Sequence, residues 1–171
     1  MPEPLLPVTP LRVLLAFDSF KGSLTAAEAC AAAAEALKAR FGELVELREV
    51  PLADGGEGSL ALLERHLNVE RHTVETTDAI GRPTRASFLL DPRARVAFVE
   101  VAQAAGLPNV SDVPLQPLTA SSFGVGTMVR HALHAGAEEI GLMLGGSATT
   151  DGGAGLMAAL GLELLDARGE R

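Results

Sequence analysis

Residues 142–155 read LMLGGSATTDGGAG, a glycine-rich stretch between two segments of regular structure. The apolar run at 140–144 predicts a strand before it, and the small residues at 156–160 predict a helix after it. Glycine lets the backbone adopt positive φ and approach a ligand closely, and a helix behind such a loop presents free N–H groups that favour phosphate. The stretch therefore predicts a strand–loop–helix unit whose loop suits a phosphate group.

The same stretch has a plainer interpretation. It matches neither G-x-x-x-x-G-K-[ST] nor a regular G-x-G-x-x-G, so the general phosphate motifs do not apply to it. A tight turn before a capped helix also accounts for its glycines. Asp151 is accordingly either a helix cap or a magnesium ligand.

The composition is that of an acidic globular protein. The 171 residues are 47% hydrophobic and 21% charged, enough for one domain or slightly more. The net charge of −8 argues against nucleic acid and anionic membranes as partners. Cys30 lies in an alanine-rich helical pattern, which predicts a buried, unreactive thiol. Without a basic signal-peptide start or an apolar run of spanning length, we expect a soluble cytoplasmic protein.

The first half of the chain alternates strand and helix signals. The predicted elements are a strand at 12–17, a helix at 25–40, a strand at 44–50, a helix at 60–67 and a strand at 71–77. Thr25 and Glu28 have the spacing of a capping box at the start of the first helix. This βαβαβ order predicts a parallel, doubly wound sheet whose ligand site lies outside the carboxyl ends of its strands.

The second half predicts a mixed unit that begins with a hairpin. Its expected elements are strands at 84–90 and 96–101, a helical piece at 102–107, a helix at 122–134, the strand and helix around the glycine-rich stretch, and a last strand at 163–165. We therefore expect two domains, at 1–77 and 78–171. Residues 166–171 look like a hairpin turn without a return strand, which would leave a sheet edge open.

Two further loops carry charged residues after predicted strands. Lys21 follows the first strand and suits a phosphate or carboxylate, or it is an ordinary solvated lysine. Asp54 and Glu57 flank a Gly-Gly pair after the second strand, where a carboxylate suits Mg²⁺ or a base role, or simply a turn before a helix. Glu100 lies in an apolar strand pattern, so its carboxylate is either functional or paired, because unpaired burial is costly.

Three of these segments together carry a family resemblance. They read DSFKGSL at 18–24, ADGGEGS at 53–59 and GGSATTDGGAG at 145–155, and Glu100, AAGL at 104–107 and SFGVG at 122–126 support them. In order and spacing they resemble the class I glycerate kinases over residues 11–171. The chain departs from the family at 123–127, where FGVGT stands for a usual Tyr-Gly-Thr-Gly-Glu, and at Thr150, where asparagine is common.

The resemblance implies ATP- and Mg²⁺-dependent phosphorylation of D-glycerate. It also implies an α/β protein with a Rossmann-like, parallel-sheet first domain, a mixed α/β second domain and an active site between them. Because the family continues well past residue 171, the chain resembles the N-terminal half of such a kinase, with both domains incomplete. We expect it to form a homo-oligomer or to associate with the complementary C-terminal half.

The loops and the resemblance together suggest residue roles. Lys21 is assigned to the developing charge or the glycerate carboxylate, and Asp54 and Asp151 to catalysis or to the metal ion. The residues expected to bind substrate or nucleotide are Asp18, Ser19, Gly55, Gly56, Glu57, Glu100, Gly145, Gly146, Ser147, Thr149, Gly152 and Gly153. Two alternatives stay open: an NAD-type dehydrogenase, which would lack its G-x-G-x-x-G motif, and a truncated, non-catalytic fragment that binds nucleotide or a partner.

Overall fold

The computed structural model describes residues 9–170, which form two compact units that divide between Asp54 and Gly55. The first unit contains β1 (Leu11–Leu15), α1 (Ala26–Phe41), a short 3₁₀ turn (Gly42–Leu44) and β2 (Val45–Glu49). Strand β1 pairs in parallel with β2 along its whole length, from Leu11 opposite Val45 to Leu15 opposite Glu49. The first unit is therefore one β–α–β crossover.

Helix α1 begins and ends where the sequence predicts. The Thr25 hydroxyl accepts a hydrogen bond from the Glu28 N–H at 3.2 Å, and the Glu28 carboxylate accepts one from the Thr25 N–H at 2.8 Å. This confirms the capping box. The bond from the Thr25 N–H, together with one that the Thr25 hydroxyl donates to the same carboxylate at 2.8 Å, lowers the pKa of Glu28. Cys30 is fully buried on the helix, and its thiol donates to the Leu15 carbonyl at 3.5 Å, as expected of a structural thiol.

The second unit is built on a four-stranded sheet in the order β3-β4-β5-β6. The strands are β3 (Glu70–Thr77), β4 (Pro83–Asp91), β5 (Val96–Glu100) and β6 (Glu139–Met143). The helices are α2 (Ser59–His66), α3 (Ala102–Ala105), α4 (Phe123–His134) and α5 (Ala154–Ala159), with a 3₁₀ turn at Leu107–Val110. The first two pairings are antiparallel and only β5 with β6 is parallel, so the sheet is mixed and the predicted hairpin of β4 and β5 is confirmed.

Helices cover both faces of this sheet. Val99 faces a core in which Phe88 of β4 packs with Val125 and Met128 of α4. Glu100, one residue along, faces the opposite side, where it meets α2. The α/β class is thus confirmed, with one parallel and one mixed sheet. No helix within residues 9–170 is long and apolar enough to cross a membrane.

Two strand predictions need correction: the strand at 71–77 is present but its predicted parallel pairing is wrong, and the strand at 163–165 is absent. The strand at 71–77 does not extend the parallel sheet of the first unit, because it pairs with β4 as an antiparallel hairpin. Asp78 causes this return: its N–H donates to the Arg82 carbonyl at 2.8 Å, and its carboxylate accepts from the Arg82 N–H at 2.9 Å. Residues 163–165 belong to neither sheet, since apolar residues form a strand only where a neighbour offers a ladder of hydrogen bonds. The turn after them is present, with the Asp166 N–H donating to the Glu170 carbonyl at 2.8 Å.

The predicted domain boundary after residue 77 concerns the complete protein and stays a prediction. In the structure, β3 belongs to the same sheet as β4, and the compact units divide earlier, after Asp54. Each unit has its own buried side chains, and the larger hydrophobic core lies in the second one.

Candidate functional site

The carboxyl ends of β5 and β6 mark the candidate site in the second unit. These two strands are parallel, and Glu100 lies opposite Met143 where both end. The glycine-rich loop leaves β6 at this point, and α3 follows β5 within one residue. Because the carboxyl ends of parallel strands lie at one edge of a sheet, loops from both strands converge here.

Two glycine motifs that are distant in sequence meet at this edge. The Gly145 N–H donates to the Gly55 carbonyl at 3.0 Å. A Cβ atom on Gly145 would lie 2.4 Å from the Cα of Gly56, so only glycine permits this approach of the two backbones. The structure therefore brings together Gly55, Gly56 and Gly145, which the sequence had assigned to two separate loops.

The start of the glycine-rich loop is fixed by the segment that follows β5. The Leu107 N–H donates to the Gly146 carbonyl at 2.9 Å, and the Ala148 N–H donates to the Ala105 carbonyl at 2.8 Å. The Ser147 hydroxyl donates to the Leu144 carbonyl at 3.1 Å, within the loop itself. Residues 145–148 consequently have a defined backbone, although they belong to no helix or strand.

Asp151 fixes the other end of the loop. One carboxylate oxygen, Oδ2, accepts from the Ser122 N–H at 2.8 Å, the Ser122 hydroxyl at 2.9 Å and the Gly155 N–H at 3.1 Å. The other, Oδ1, accepts from the Gly153 N–H at 3.1 Å. Burial opposes the charge on this group, but the bonds from Ser122, Gly155 and Gly153 outweigh burial and lower the pKa of Asp151. The carboxylate is thus held in its ionised form.

Between these two anchors lies a run of unused backbone donors. Within residues 9–170, the N–H groups of Thr149, Thr150, Asp151 and Gly152 donate to no protein acceptor. The Thr150 side chain donates to the Pro117 carbonyl at 2.6 Å, which holds the middle of the loop. Successive backbone N–H groups form anion-binding sites in proteins where the chain turns them toward one side. The loop can therefore supply hydrogen bonds to a phosphate group without a lysine of its own.

Glu100 is fully buried at the same edge, and it is paired. Its Oε2 accepts from the Leu60 N–H in the first turn of α2 at 3.1 Å, and its Oε1 accepts from the Gln103 side chain at 3.4 Å. A carboxylate at a helix N-terminus is stabilised by the free N–H groups there. Of the two interpretations of Glu100, the structure shows the paired one, and its role in ligand binding stays a prediction.

The remaining predicted residues lie mostly in the first unit. Asp18 accepts from the Ser19 N–H at 2.6 Å, and the next residues form a tight turn in which Phe20 and Leu24 exchange backbone hydrogen bonds. Lys21 is exposed on this turn. Asp54 is also exposed, at the last position of the first unit, while Glu57 is exposed in the second. The structure thus gathers Asp18, Ser19 and Lys21 on one loop of the first unit.

Few side chains of the described residues are placed to act as Mg²⁺ ligands. Residues 9–170 contain no cluster of three or more His, Cys, Asp or Glu side chains that could hold a metal ion. An ionised carboxylate has about four lone-pair sites, two on each oxygen, and Asp151 accepts three hydrogen bonds at Oδ2 and one at Oδ1, which leaves one site on Oδ1. The carboxylate of Asp54 is exposed, and Mg²⁺ is commonly bound through one carboxylate together with water and substrate phosphates, so the metal role of Asp54 stays a prediction.

Sequence reasoning missed one residue of the site. Ser122 was seen only as the start of a helix, yet its hydroxyl donates to Asp151 and accepts from the Leu156 N–H at 2.9 Å. Ser122, which directly precedes α4, is therefore bonded both to the glycine-rich loop and to the first turn of α5. A serine directly before a glycine-rich helix start was the signal in the sequence; its burial, which requires partners for the hydroxyl, is visible only in the structure.

Comparison with known proteins agrees with these motifs. The model of the glycerate kinase family matches residues 13–171. The chain is 39% identical over 163 residues to a glycerate 2-kinase of Escherichia coli K12 and 40% identical over 159 residues to a glycerate kinase of Bacillus subtilis 168. These alignments include 93% of this chain but 42% and 41% of the two relatives.

A solved structure shows the same fold. It is a crystal structure of a candidate glycerate kinase 2 from Salmonella typhimurium LT2, with 40% sequence identity and a TM-score of 0.69. The match covers 95% of this chain and 43% of that one. The chain therefore spans less than half the length of the relatives that it matches.

Proposed function

Because the chain belongs to the glycerate kinase family, we propose that it forms part of an ATP- and Mg²⁺-dependent kinase that phosphorylates D-glycerate. The observation that carries this proposal is the glycine-rich loop, with four consecutive unused N–H groups between two fixed ends. Phosphoryl transfer depends on positioning and on neutralising charge rather than on covalent help from the protein. N–H donors held at both ends of the loop would serve the positioning, and the charge would be neutralised by the cations assigned below.

The nucleotide phosphates are assigned to the loop from Gly145 to Gly153. Thr149 and Gly152 contribute unused N–H groups, while Gly145, Gly146 and Ser147 give the loop its fixed start. Gly55, Gly56 and Glu57 are assigned to the same site, because Gly55 and Gly56 contact Gly145 through the backbone. Glu100 connects this edge of the sheet to α2, because its carboxylate accepts a hydrogen bond from the Leu60 N–H.

Lys21 is assigned to the charge that develops during transfer, or to the carboxylate of glycerate. It is an exposed ammonium group on a tight turn, and in a chain of net charge −8 each such cation matters for binding a polyanion. Asp18 and Ser19 precede it on the same loop and are assigned to the substrate. When bound, Mg²⁺ would neutralise phosphate charge, and Asp54 is the carboxylate proposed to hold it or to act as base toward the glycerate hydroxyl.

The acceptor hydroxyl is proposed to be the one at C2. The Escherichia coli relative is a glycerate 2-kinase, and it shares 39% identity with this chain. With ATP as donor and an organic acid as acceptor, the reaction is placed in the cytoplasm. Membership of a kinase family removes the dehydrogenase alternative, whereas a non-catalytic fragment remains the second candidate because the chain covers only about two fifths of its relatives.

A coupled assay tests the proposal. ATP consumption on D-glycerate is measured with this chain alone and with the segment that completes its relatives, and the product is identified as 2- or 3-phosphoglycerate. We expect glycerate-dependent consumption in the completed protein, with 2-phosphoglycerate as product. If ATP binds but glycerate never stimulates its consumption in either sample, the non-catalytic alternative is correct.

A further inference from the structure

Asp151 and Ser122 connect three backbone segments of the second unit. Asp151 lies in the glycine-rich loop, Ser122 directly precedes α4, and both receive N–H groups from the start of α5. The Gly155 N–H donates to Asp151 and the next N–H, of Leu156, donates to the Ser122 hydroxyl. We call these two side chains the Ser122–Asp151 pair.

The two residues of the pair are also hydrogen-bonded to each other. Besides receiving those two N–H groups, Ser122 donates both its backbone N–H and its hydroxyl to the same oxygen of Asp151, at 2.8 and 2.9 Å. Ser122 is buried and Asp151 is half-buried, so these bonds are partly shielded from water, where a bond to an ionised group is strong. Removal of either side chain leaves partly buried N–H donors of the other segments without that acceptor.

The backbone at Gly155 packs tightly against the residues around the Ser122–Asp151 pair. A Cβ atom on Gly155 would lie 2.1 Å from the Ser121 hydroxyl and 2.9 Å from the Asp151 carboxylate. The start of α5 is thus in direct contact with the residues that precede α4. The four unused N–H groups at 149–152 lie between this anchor and the Ala148–Ala105 hydrogen bond, so their geometry depends on both.

From this geometry we propose that Asp151 and Ser122 are positioning residues for the nucleotide, and that Asp151 does not bind the metal ion. This inference rests on the proposed function, because it assigns the pair to holding the phosphate donors at 149–152 in place before nucleotide arrives. It replaces the metal role that the sequence suggested for Asp151. Three of its four hydrogen bonds fall on Oδ2 and one on Oδ1, so the carboxylate is turned toward protein donors and keeps one lone pair, on Oδ1, for any other partner.

Three variants of the 171-residue chain test the pair. Ser122→Ala removes the shared hydroxyl, and Ser122→Thr keeps a hydroxyl and should rescue the loss. Asp151→Asn keeps the size but turns an amide NH₂ toward at least one N–H donor in either orientation. Ser111→Ala is the matched control: the Ser111 hydroxyl likewise donates one hydrogen bond, to the Pro108 carbonyl, but it is exposed and lies outside the loop.

The first readout needs no ligand. Amide hydrogen exchange should become faster at Gly153, Gly155 and Leu156 in Ser122→Ala and Asp151→Asn, and stay as in the wild type in Ser122→Thr and Ser111→Ala. Exchange in the core strand β5 reports global stability and should change little. Unchanged exchange at 153–156 in both loss variants would show that the pair does not hold the loop.

The second readout separates positioning from metal binding. ATP affinity is measured by calorimetry with Mg²⁺ and again with EDTA, and loss of a charged hydrogen bond should weaken it on the order of ten- to a hundredfold in both conditions. A loss in Asp151→Asn that appears only with Mg²⁺ would restore the metal role and overturn the proposal. If the wild-type chain binds no ATP in either condition, the proposed nucleotide function of this chain fails, whereas the exchange measurement still decides whether the pair holds the loop.

Discussion

Gly145→Ala is the substitution that tests the candidate site most directly. The added Cβ would lie 2.4 Å from the Gly56 Cα and 2.5 Å from the Gly56 N, and both are backbone atoms that no rotamer change can move. One of the two loops must shift, which removes the hydrogen bond from the Gly145 N–H to the Gly55 carbonyl. The site would then lose the contact between its two glycine motifs.

The expected cost follows from these two effects. Overpacking by one methyl group in a close contact costs about 1–3 kcal/mol, and the lost hydrogen bond adds about 1 kcal/mol. With a urea m-value of about 2 kcal/mol/M, a total of about 2–4 kcal/mol lowers the unfolding midpoint by about 1–2 M. ATP affinity should fall as well, because the start of the loop no longer has its fixed position.

Urea unfolding followed by circular dichroism measures the effect, with Gly141→Ala as the matched control. A Cβ on Gly141, in strand β6, would meet the Phe98 ring at 3.3 Å, and a side chain can yield where a backbone cannot. We expect the control to lose less than about 1 kcal/mol. A midpoint for Gly145→Ala within error of the wild type, at unchanged m-value, would refute the close approach of the two loops.

Four further outcomes are expected. Lys21→Ala should lower kcat of the completed enzyme on the order of 100-fold, and a change in KM alone would limit Lys21 to ground-state binding. Gly152→Val should abolish ATP binding in calorimetry, because Gly152 has φ +61°, a conformation that valine rarely adopts. The fold should be retained, because no atom lies within 4 Å of the added Cβ. An unchanged ATP affinity would show that the loop is not part of the site. Burial opposes the charge of Asp78, but its bonds to Arg82 outweigh burial and lower its pKa. The ionised carboxylate therefore stabilises the fold above the unfolded pKa of about 3.9, and this stabilisation is lost as pH falls through the folded pKa. Asp78→Asn should accordingly make the free energy of unfolding depend less on pH in the acid range, and an unchanged dependence would contradict this. Leu142 and Leu144, 40% and 69% exposed at the sheet edge, should make the chain associate with itself or with its complementary half, and a monodisperse, cooperatively unfolding monomer in sedimentation would contradict that.

Local chemistry explains why much of the fold could be predicted. The capping box of Thr25 and Glu28 and the stop at Gly42 involve neighbours in sequence, so the limits of α1 were readable. The same holds for the hairpin of β4 and β5, which a short turn at Asp91 closes. In each case the groups that satisfy the backbone lie within a few residues of it.

Strand pairing could not be predicted in the same way. Residues 71–77 carry a strand pattern that fits either a parallel or an antiparallel neighbour, and the pattern alone does not select between them. The selection is made by Asp78, whose side chain and backbone turn the chain directly into β4. A carboxylate two residues before an Ile-Gly pair was visible in the sequence, but its effect on the preceding strand was not.

The candidate site shows the same division between residue types and contacts. Glycine, aspartate and serine were recognisable in the loop, because these residues suit a turn that approaches a ligand. Their partners were not, since Ser122 and Asp151 are 29 residues apart and each has an adequate local explanation as a helix cap. What distinguishes them is burial together with four bonds to one carboxylate, and both are properties of the packed second unit. An aspartate in a glycine-rich loop is therefore better assigned after its acceptor sites are counted, because a carboxylate whose lone pairs are mostly taken by N–H and O–H donors has fewer left to offer a cation.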